Sequence, residues 1–193
     1  MKGICFIEPL YSKTVKNIKV QTRRIAKETT SLSVINGKPT YLSKPRYKVG
    51  DILYLKEPYK KWTRGLSDGR HTSILYKYGE ETPCRKVGLE GSSYYTDWKN
   101  KLFMPASAAR HFIKITAVRI ERLQEISNED CIKEGIEENG LCYFNGVHTH
   151  SFLSPREAYK ALINSIDGKD TWDDNPWVWV YDYELIDRKE VQL

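Results

Sequence analysis

Residues 111–123 read HFIKITAVRIERL and carry the clearest strand pattern in the chain. Apolar side chains alternate along this segment, as in a strand with one buried face, but the phase of the alternation changes midway. The alternating residues are Ile113, Ile115, Val118 and Ile120. Because a shift of one residue moves every later side chain to the other face, we predict a β-bulge near Thr116 and Ala117. Such bulges are typical of strongly curved sheets and small barrels.

Three further segments have the composition of strands. Residues 175–186, NPWVWVYDYELI, place aromatic side chains on one face and valines on the other, so we predict a strand near the middle of a sheet. We interpret Trp177 and Trp179 as core residues of this strand and not as platforms for base stacking. Residues 3–7 (GICFI) and 50–55 (GDILYL) are predicted to form two shorter buried strands.

Two helices have explicit start signals. Ser127, with an acidic residue three positions later, resembles a capping box that opens a short helix over 128–138, and the Asn-Gly pair that follows provides the stop. Ser154, followed by proline at the first helical position, caps a second helix that ends before Gly168. Its apolar residues recur every four positions, so we expect this helix to dock on the sheet.

Residues 62–101 differ in texture from the rest of the chain, since they are rich in Gly, Ser, Thr, Tyr and charge and lack an apolar period. We predict that they form an insertion or lid. No internal repeat interrupts the remaining sequence, so residues 1–193 are predicted to form a single domain. The strands, the bulge and the short helices favour a mainly β fold with short helices (α+β), built as a small curved β-barrel with the helices packed on it.

Composition excludes several classes of protein. Hydrophobic residues are 40% and charged residues 29% of the chain, which is unlike a disordered tail. No apolar run approaches the ~20 residues that cross a bilayer, and the first ten residues lack the long apolar region of a secretory signal. We therefore expect a soluble, cytoplasmic protein with no membrane partner. The four cysteines are widely spaced without a C-x-x-C motif, so we expect reduced thiols, no metal site and no cofactor.

The positive charge of the chain is concentrated in its first quarter. Residues 1–48 hold eleven Lys and Arg against two acidic residues, a net charge of +9, while the remainder carries −3. Such asymmetry indicates an anionic partner, with nucleic acid first. The alternative is a solvated basic face, which charge alone does not distinguish from a binding surface.

Four motifs occur in an order that resembles a known family. They are K-x-x-T-x-R at 19–24, GDILYLKEPY at 50–59, RIERLQEISNEDCIKEGIEE at 119–138 and NPWVWVYDYEL at 175–185. Together they resemble an ASCH-domain protein of the PUA-like superfamily over residues 3–186, apart from 62–101 and 143–151. Larger ASCH proteins of this appearance are common among bacterial and phage-derived genes. The resemblance implies a PUA-like β-barrel and RNA binding, and one relative is linked to metal-dependent RNA cleavage.

The family signature G-x-K-x-x-E-x-R is altered in this chain. Its positions correspond to Asn17, Lys19, Thr22 and Arg24, so the glycine and the glutamate are both replaced. A similar branch, the bacterial acetylcytidine amidohydrolases, has K-x-x-T here and a functional glutamate just inside the helix after the long strand. The resemblance therefore implies that Lys19, Thr22 and Glu134 are catalytic and that the substrate is an acylated cytidine-like nucleoside.

The chemistry of amide hydrolysis is compatible with these residue types. A threonine hydroxyl attacks a carbonyl carbon only with a base beside it, and lysine becomes such a base when burial or a nearby cation lowers its pKa. Lys19 and Thr22 are three apart, so a helical turn would place them on one face. Glu134 would orient the lysine, shuttle protons or read a base edge. Arg23 and Arg24 would add positive potential and hold phosphate at the rim.

A non-catalytic alternative uses the same residues to bind nucleic acid. A charged Lys19 and the two arginines would bind phosphate, while Gln21 and Glu134 would hydrogen-bond to a base. The candidates for stacking on that base are Tyr11, Tyr54 and Tyr59. Structural roles also stay open, namely an ion pair between Lys19 and Glu134, an exposed Glu134, or an N-cap at Thr22. A third alternative is an RNA-cleaving enzyme, which would need a metal for which the sequence contains no motif.

Two residues outside the basic cluster are further candidates for ligand binding. Glu57 follows a predicted strand, where the mouth of a barrel places functional groups, and the alternative is a surface ion pair with a neighbouring lysine. Arg110 follows a turn that would close one end of the cavity, and we expect it to point inward. Lys16 remains as a solubilising residue of the basic cluster.

Overall fold

A computed structural model describes residues 1–35, 38–66, 69–78 and 93–191 of the chain. The strands are β1 Lys2–Cys5, β2 Gln21–Ile25, β3 Glu28–Ile35, β4 Lys38–Leu42, β5 Ile52–Lys56, β6 Tyr59–Leu66, β7 Gly69–Tyr76, β8 Ser93–Tyr95, β9 Phe112–Arg122, β10 Glu137–Asn139, β11 Cys142–Phe144 and β12 Trp177–Ile186. The α-helices are α1 Leu10–Val15, α2 Asn128–Lys133, α3 Pro155–Asp167 and α4 Thr171–Asp174.

The centre of the fold is a five-stranded sheet in the order β1-β5-β9-β12-β2. Strand β1 runs parallel to β5, and the other neighbours are antiparallel. Within the described ranges β1 and β2 are the two edges and do not pair with each other, so this sheet is open. The prediction of a mixed α+β fold that is mostly sheet is confirmed, whereas the closed barrel stays a prediction.

The bulge predicted in the long strand β9 is present. Ala117 pairs with Asp182 of β12 and Ile115 pairs with Tyr183, so Thr116 is the extra residue between them. Strand β12 pairs with β9 on one side and β2 on the other, which confirms its predicted interior position.

The two tryptophans of β12 have different surroundings. Trp179 is buried, as predicted for a core residue. Trp177 is 36% exposed, and the Arg122 guanidinium lies 4.4 Å from its ring centroid, so the core prediction for Trp177 is wrong. Trp177 is the first residue of β12, and burial begins only at the next residue, Val178.

The helix caps were predicted correctly, but one helix end was not. The Ser127 hydroxyl accepts a hydrogen bond from the backbone N–H of Asp130 (3.1 Å) at the start of α2. This helix ends at Lys133 and not at residue 138, because Gly135 has a φ of +99°, which a right-handed helix cannot continue through. The residues beyond it form β10, which pairs with β11. The helix predicted from the Ser154 cap is α3, which ends before Gly168 as expected.

Helix α3 packs on the central sheet through one apolar stripe. Its buried residues are Pro155, Ala158, Tyr159, Leu162 and Ile163. They join a core that includes Leu55 of β5, Ile115 of β9 and Val180 of β12. Residues of α3 and of the edge strand β2 line one cavity, so the helix and this strand are neighbours.

Outside the central sheet lie smaller sheets. Strand β6 pairs with β7 and β8, and β3 pairs with β4. The predicted insertion or lid at 62–101 falls partly in the β6–β8 sheet, while residues 67–68 and 79–92 lie outside the described residues. Its role as a lid stays a prediction. None of the helices in the described ranges has the length and apolar character required to span a membrane.

Candidate functional site

Strand β2 carries two of the four basic residues of the cluster at 16–24, namely Arg23 and Arg24. Side chains alternate along a strand, so Thr22 and Arg24 lie on one face and Gln21 and Arg23 on the other. The helical turn expected for Lys19 and Thr22 is therefore wrong, as is the N-cap alternative for Thr22, because the segment runs on as an edge strand. Lys19 nevertheless lines the same cavity as Thr22, from the residues just before the strand.

Backbone hydrogen bonds bring the distant glutamate to this strand. The Val20 N–H donates to the Lys133 carbonyl (2.9 Å) at the end of α2, and the Tyr183 N–H of β12 donates to the Val20 carbonyl (2.9 Å). Because Glu134 directly follows Lys133, these bonds fix it beside Lys19. Glu134 caps the C-terminus of α2, one residue beyond the helical position that the resemblance implied, and it is buried.

A cavity of about 160 Å³, the smaller cavity, lies between β2, α3 and the segment after β1. Its polar and charged lining consists of Lys19, Thr22, Arg23, Arg24, Lys101, Glu134, Tyr159 and Asp167. The rest of its lining is Cys5 and apolar side chains, among them Phe6, Leu10 and Leu162 of α3. The structure therefore brings Lys19, Thr22 and Glu134 to one cavity.

Lys19 and Glu134 form a buried ion pair. Lys19 is only 1% exposed, and its Nζ donates to the Glu134 carboxylate, the Glu134 carbonyl (3.0 Å) and the Gln21 carbonyl (2.6 Å). Burial lowers the pKa of Lys19 below its ordinary value; Glu134 opposes this effect, while the nearby charges of Arg24 and Arg23 add to it. The alternative of an exposed Glu134 is wrong.

Arg23 holds this ion pair from behind. Its Nη1 donates to Glu134 Oε1 (3.2 Å), and its Nη2 donates to Glu121 (2.7 Å) and Asp130 (2.9 Å). The remaining Nη1 contact is with the Gln21 side-chain oxygen (2.5 Å). All of the guanidinium is thus engaged within the protein, and Arg23 is not at the rim where phosphate was expected.

Gln21 belongs to the same internal network. Its amide nitrogen donates to Asp182 (2.5 Å) and to Asp130 (3.3 Å), so its polar atoms are also engaged within the protein. Arg119 of β9, which the sequence reasoning missed, completes the network by donating to Asp182 (3.0 Å) and Asp130. Burial of Asp130 alone would raise its pKa, but Arg23 and Arg119 reverse that effect and the pKa is lowered. Gln21 therefore positions the site, and Arg23, although it also lines the cavity, has its guanidinium engaged by partners within the protein.

Two buried hydroxyls beside the ion pair have no hydrogen-bond partner in the described part of the chain. Thr22 is 4% exposed and Tyr159 of α3 is 2% exposed. Burial, and secondarily the charge of Glu134, raise the pKa of Tyr159 well above its ordinary value, so it is a neutral hydroxyl. A buried polar group without a partner is uncommon and indicates a site that a ligand or water completes. Tyr159 was missed because it falls on the apolar stripe of α3 and reads as core.

Arg24 is the one predicted phosphate ligand that remains available. It donates to the Cys5 carbonyl (2.8 Å), and its guanidinium lies 5.6 Å from the Phe6 ring centroid. No carboxylate pairs with it within the ranges that the structure describes. Arg24 lines the smaller cavity and also a second, larger cavity next to it.

The structure places Glu57 and Arg110 together, but away from Lys19. The Glu57 carboxylate is 0% exposed; Arg110 donates to it through Nε (2.8 Å) and Nη2 (3.0 Å), and the Tyr11 hydroxyl donates to it as well. Neither residue lines the smaller cavity. The surface ion pair expected for Glu57 as an alternative is wrong because the carboxylate is buried. The predicted stacking residues Tyr11, Tyr54 and Tyr59 are buried and do not line the cavity either.

Comparison with known proteins identifies no relative of this chain. No family model, no curated protein and no solved structure matches it. The functional interpretation therefore depends on the motifs of the sequence and the geometry of the cavity.

Proposed function

We propose that the chain is an ASCH-like amidohydrolase that removes the acyl group from an acylated cytidine-like nucleoside or nucleotide. The observation that carries this proposal is the Thr22 hydroxyl, which is buried and unpartnered in the described structure and lines the same cavity as a lysine of lowered pKa. A hydroxyl nucleophile and an amine base are the groups that acyl transfer needs. In this proposal the open sheet is part of a PUA-like barrel.

The first half of the reaction transfers the acyl group to the protein. Lys19 acts in its neutral form, which its lowered pKa makes accessible, while Glu134 holds the amine in place through their hydrogen bond. Thr22 Oγ1 then attacks the acyl carbonyl carbon and gives its proton to Lys19 Nζ, which leaves a tetrahedral oxyanion. When this intermediate collapses, the C–N bond breaks and the exocyclic nitrogen of the base takes the proton from Lys19. The products are the free amine of the nucleobase and an acyl ester on Thr22.

The second half restores the protein. A water molecule adds to the ester carbonyl and gives its proton to Lys19. Collapse breaks the bond to Thr22 Oγ1, which takes that proton back, and the carboxylic acid leaves. The apolar side chains of the cavity support this reaction because a low dielectric disfavours the charged form of Lys19. Tyr159, whose hydroxyl has no partner among the described residues, is available for a hydrogen bond to the base or to the acyl oxygen.

A second candidate is a binding module without turnover. The contacts of Lys19 favour it, because three oxygen acceptors surround its Nζ, which matches the three protons of a charged ammonium group. No hydrogen bond joins Lys19 Nζ to the Thr22 hydroxyl among the described contacts. In this alternative the two unpartnered hydroxyls recognise an unreactive base, and the ion pair only shapes the cavity.

Incubation with N4-acetylcytidine separates the two candidates. The hydrolase predicts release of cytidine and acetate on a chromatogram, and an acetyl ester on Thr22 in acid-quenched mass spectra. A series of acyl groups of increasing size extends the test, since a cavity of about 160 Å³ favours the small ones. If no acylated cytidine releases cytidine while cytidine itself binds, the hydrolase is wrong and the binding module stands.

A further inference from the structure

The larger cavity beside the candidate site has a volume of about 500 Å³. The two cavities share Cys5 and Arg24, so they are adjacent, and Arg24 faces both. The charged lining of the larger cavity consists of Arg24, Lys27, Lys44, Arg46 and Lys56. We call this space the basic cavity.

No acidic residue occurs in the described lining of the basic cavity, and none of its five cations forms an ion pair in the described part of the chain. Lys56 donates to the Leu102 carbonyl (2.8 Å), and the Arg46 guanidinium lies 5.5 Å from the Tyr47 ring centroid. These contacts involve no carboxylate, although the charge of Arg24 acts on Asp167 in the adjacent cavity. A concave surface lined by several cations without ion pairs attracts an anion far more strongly than the same charges spread over a convex surface.

Cations elsewhere in the molecule behave differently. Lys13 pairs with Glu137 (3.0 Å), Lys160 pairs with Asp173 (3.0 Å), and Arg110 pairs with Glu57 (2.8 Å). Carboxylates thus neutralise these three cations, whereas in the described part of the chain no carboxylate pairs with a cation of the basic cavity.

The aromatic floor of the basic cavity is fully engaged in internal contacts. Trp179 donates through Nε1 to the Ser43 carbonyl (3.0 Å), and the Tyr181 hydroxyl accepts from the Arg46 N–H (3.0 Å). The Tyr47 hydroxyl donates to the Gly3 carbonyl (3.3 Å). These polar atoms therefore have partners within the protein, and the charged groups that the cavity offers to a ligand are its cations.

We propose that the basic cavity binds the phosphate groups of a nucleotide whose base occupies the smaller cavity, with Arg24 between the base and the phosphate groups. This inference rests on the proposed function for the identity of the base. It defines the substrate as phosphate-bearing, either a mononucleotide or a nucleotide within a single strand, in preference to a free nucleoside. Lys and Arg are the residues that bind phosphate oxygens, and exposed side chains such as Lys44 and Arg46 are free to close on them.

The kinetic test compares three substrates of the wild-type protein: N4-acetylcytidine, its 5′-monophosphate, and a short oligonucleotide with one internal acetylcytidine. We expect kcat/KM to be at least about tenfold higher for one of the phosphate-bearing substrates. A preference for the monophosphate identifies a mononucleotide, and a preference for the oligonucleotide identifies a strand. Equal kcat/KM for all three overturns the phosphate site and leaves the hydrolase intact.

A matched pair of double variants assigns the preference to the basic cavity. The preference is the ratio of kcat/KM for the phosphate-bearing substrate to kcat/KM for the nucleoside. In Lys44→Glu/Arg46→Glu we expect this ratio to fall toward one. Lys16→Glu/Lys189→Glu makes the same change of charge at exposed positions that do not line the cavity, so its preference should match the wild type. Equal losses in both double variants would show a general charge effect and overturn the site.

Binding of an unacylated oligocytidine keeps the two proposals separable when no substrate is hydrolysed. We expect the logarithm of its affinity to fall linearly with the logarithm of salt concentration, with a slope of about 0.7 for each phosphate contacted. The slope should be smaller by about one to one and a half in Lys44→Glu/Arg46→Glu. Salt-dependent binding without hydrolysis supports the phosphate site and refutes the hydrolase, whereas binding that ignores salt overturns the phosphate site.

Discussion

Two buried ion pairs, Lys19 with Glu134 and Arg110 with Glu57, are built from the same chemistry but differ in what surrounds them. In both, a carboxylate almost without solvent exposure accepts from a cation and from a second donor. The oxygens of Glu57 accept hydrogen bonds from Arg110 and from the Tyr11 hydroxyl, and this pair does not line the smaller cavity.

The Lys19 pair differs because unpartnered groups lie next to it. It lines a cavity with the hydroxyls of Thr22 and Tyr159, which have no hydrogen-bond partner among the described residues. Burial of a charge alone is weak evidence of function, since structural ion pairs are buried as well. The useful distinction is whether the polar groups beside the ion pair have hydrogen-bond partners without a ligand. By that criterion the first pair is a candidate site and the second is part of the framework.

Replacement of the proposed nucleophile should have the largest effect. In Thr22→Val we expect kcat/KM on N4-acetylcytidine to fall about 10⁴-fold, which is about 5.5 kcal/mol of transition-state stabilisation. The free energy of unfolding should change by less than about 1 kcal/mol, because valine has the shape of threonine and the lost hydroxyl has no partner among the described residues. Steady-state kinetics and urea unfolding measure the two quantities.

Thr14→Val is the matched control, since Thr14 is an equally buried threonine whose hydroxyl is satisfied. It donates to the Leu10 carbonyl (3.0 Å) and lies 3.1 Å from the Tyr183 hydroxyl. We expect Thr14→Val to lose about 1–2 kcal/mol of stability and to keep its kcat/KM. Equal activity in the two variants would remove Thr22 from the mechanism.

Disruption of the second ion pair should reduce stability and not catalysis. Arg110→Met leaves the Glu57 carboxylate buried without its cation, so we expect a loss of about 3–5 kcal/mol in the free energy of unfolding. The double variant Glu57→Gln/Arg110→Met should recover a large part of that loss, because no charge is then left unpaired. A fall in kcat/KM of the folded Arg110→Met protein would show instead that this pair belongs to the site.

The lowered pKa of Lys19 gives the first pair a distinct dependence on pH. A general base must be unprotonated, so kcat/KM should rise with pH through the pKa of Lys19 and then level off. Arg24 contributes to the lowering of that pKa, so in Arg24→Gln the rise should move to higher pH. The profile is measured on the unphosphorylated nucleoside, because Arg24 also faces the basic cavity. An unmoved profile would mean that the titrating group is not Lys19.

Local signals in the sequence predicted a good part of this fold. The phase change around Thr116 predicted the bulge, and the Ser127 cap predicted the start of α2, since both depend on neighbouring residues only. The family resemblance grouped Lys19, Thr22 and Glu134, and these three residues line one cavity. The basic cluster could not be divided correctly, because whether an arginine is free depends on which carboxylates distant strands bring beside it.

Strand pairing is what separates the two arginines of the cluster. Arg23 lies on the face of β2 that meets Glu121 of β9 and Asp130 of α2, so its charge is neutralised. Arg24, on the opposite face, meets the Cys5 carbonyl and two cavities. Neither environment has a signal within residues 16–24. Tyr159 was missed for a related reason, since this buried tyrosine on an apolar stripe differs from a core residue only in that its hydroxyl has no partner within the described structure.

The smallest expected effect concerns His111, which lies beside the second ion pair. Burial, and secondarily the charge of Arg110, lower the pKa of His111 from 6.5 to about 4, so the folded protein keeps this ring neutral. Below pH 6.5 the unfolded chain binds a proton that the folded chain does not, so stability is lost as the pH falls from about 6.5 toward 4. In His111→Gln the free energy of unfolding should change less across that window, as measured by urea unfolding at several pH values. Arg110→Met should also flatten the dependence, because it removes one cause of the lowered pKa. The Lys19 pair therefore predicts a pH dependence of kcat/KM, and the Arg110 pair predicts a pH dependence of the free energy of unfolding. If His111→Gln shifted the pH profile of kcat/KM, the two ion pairs would be functionally coupled.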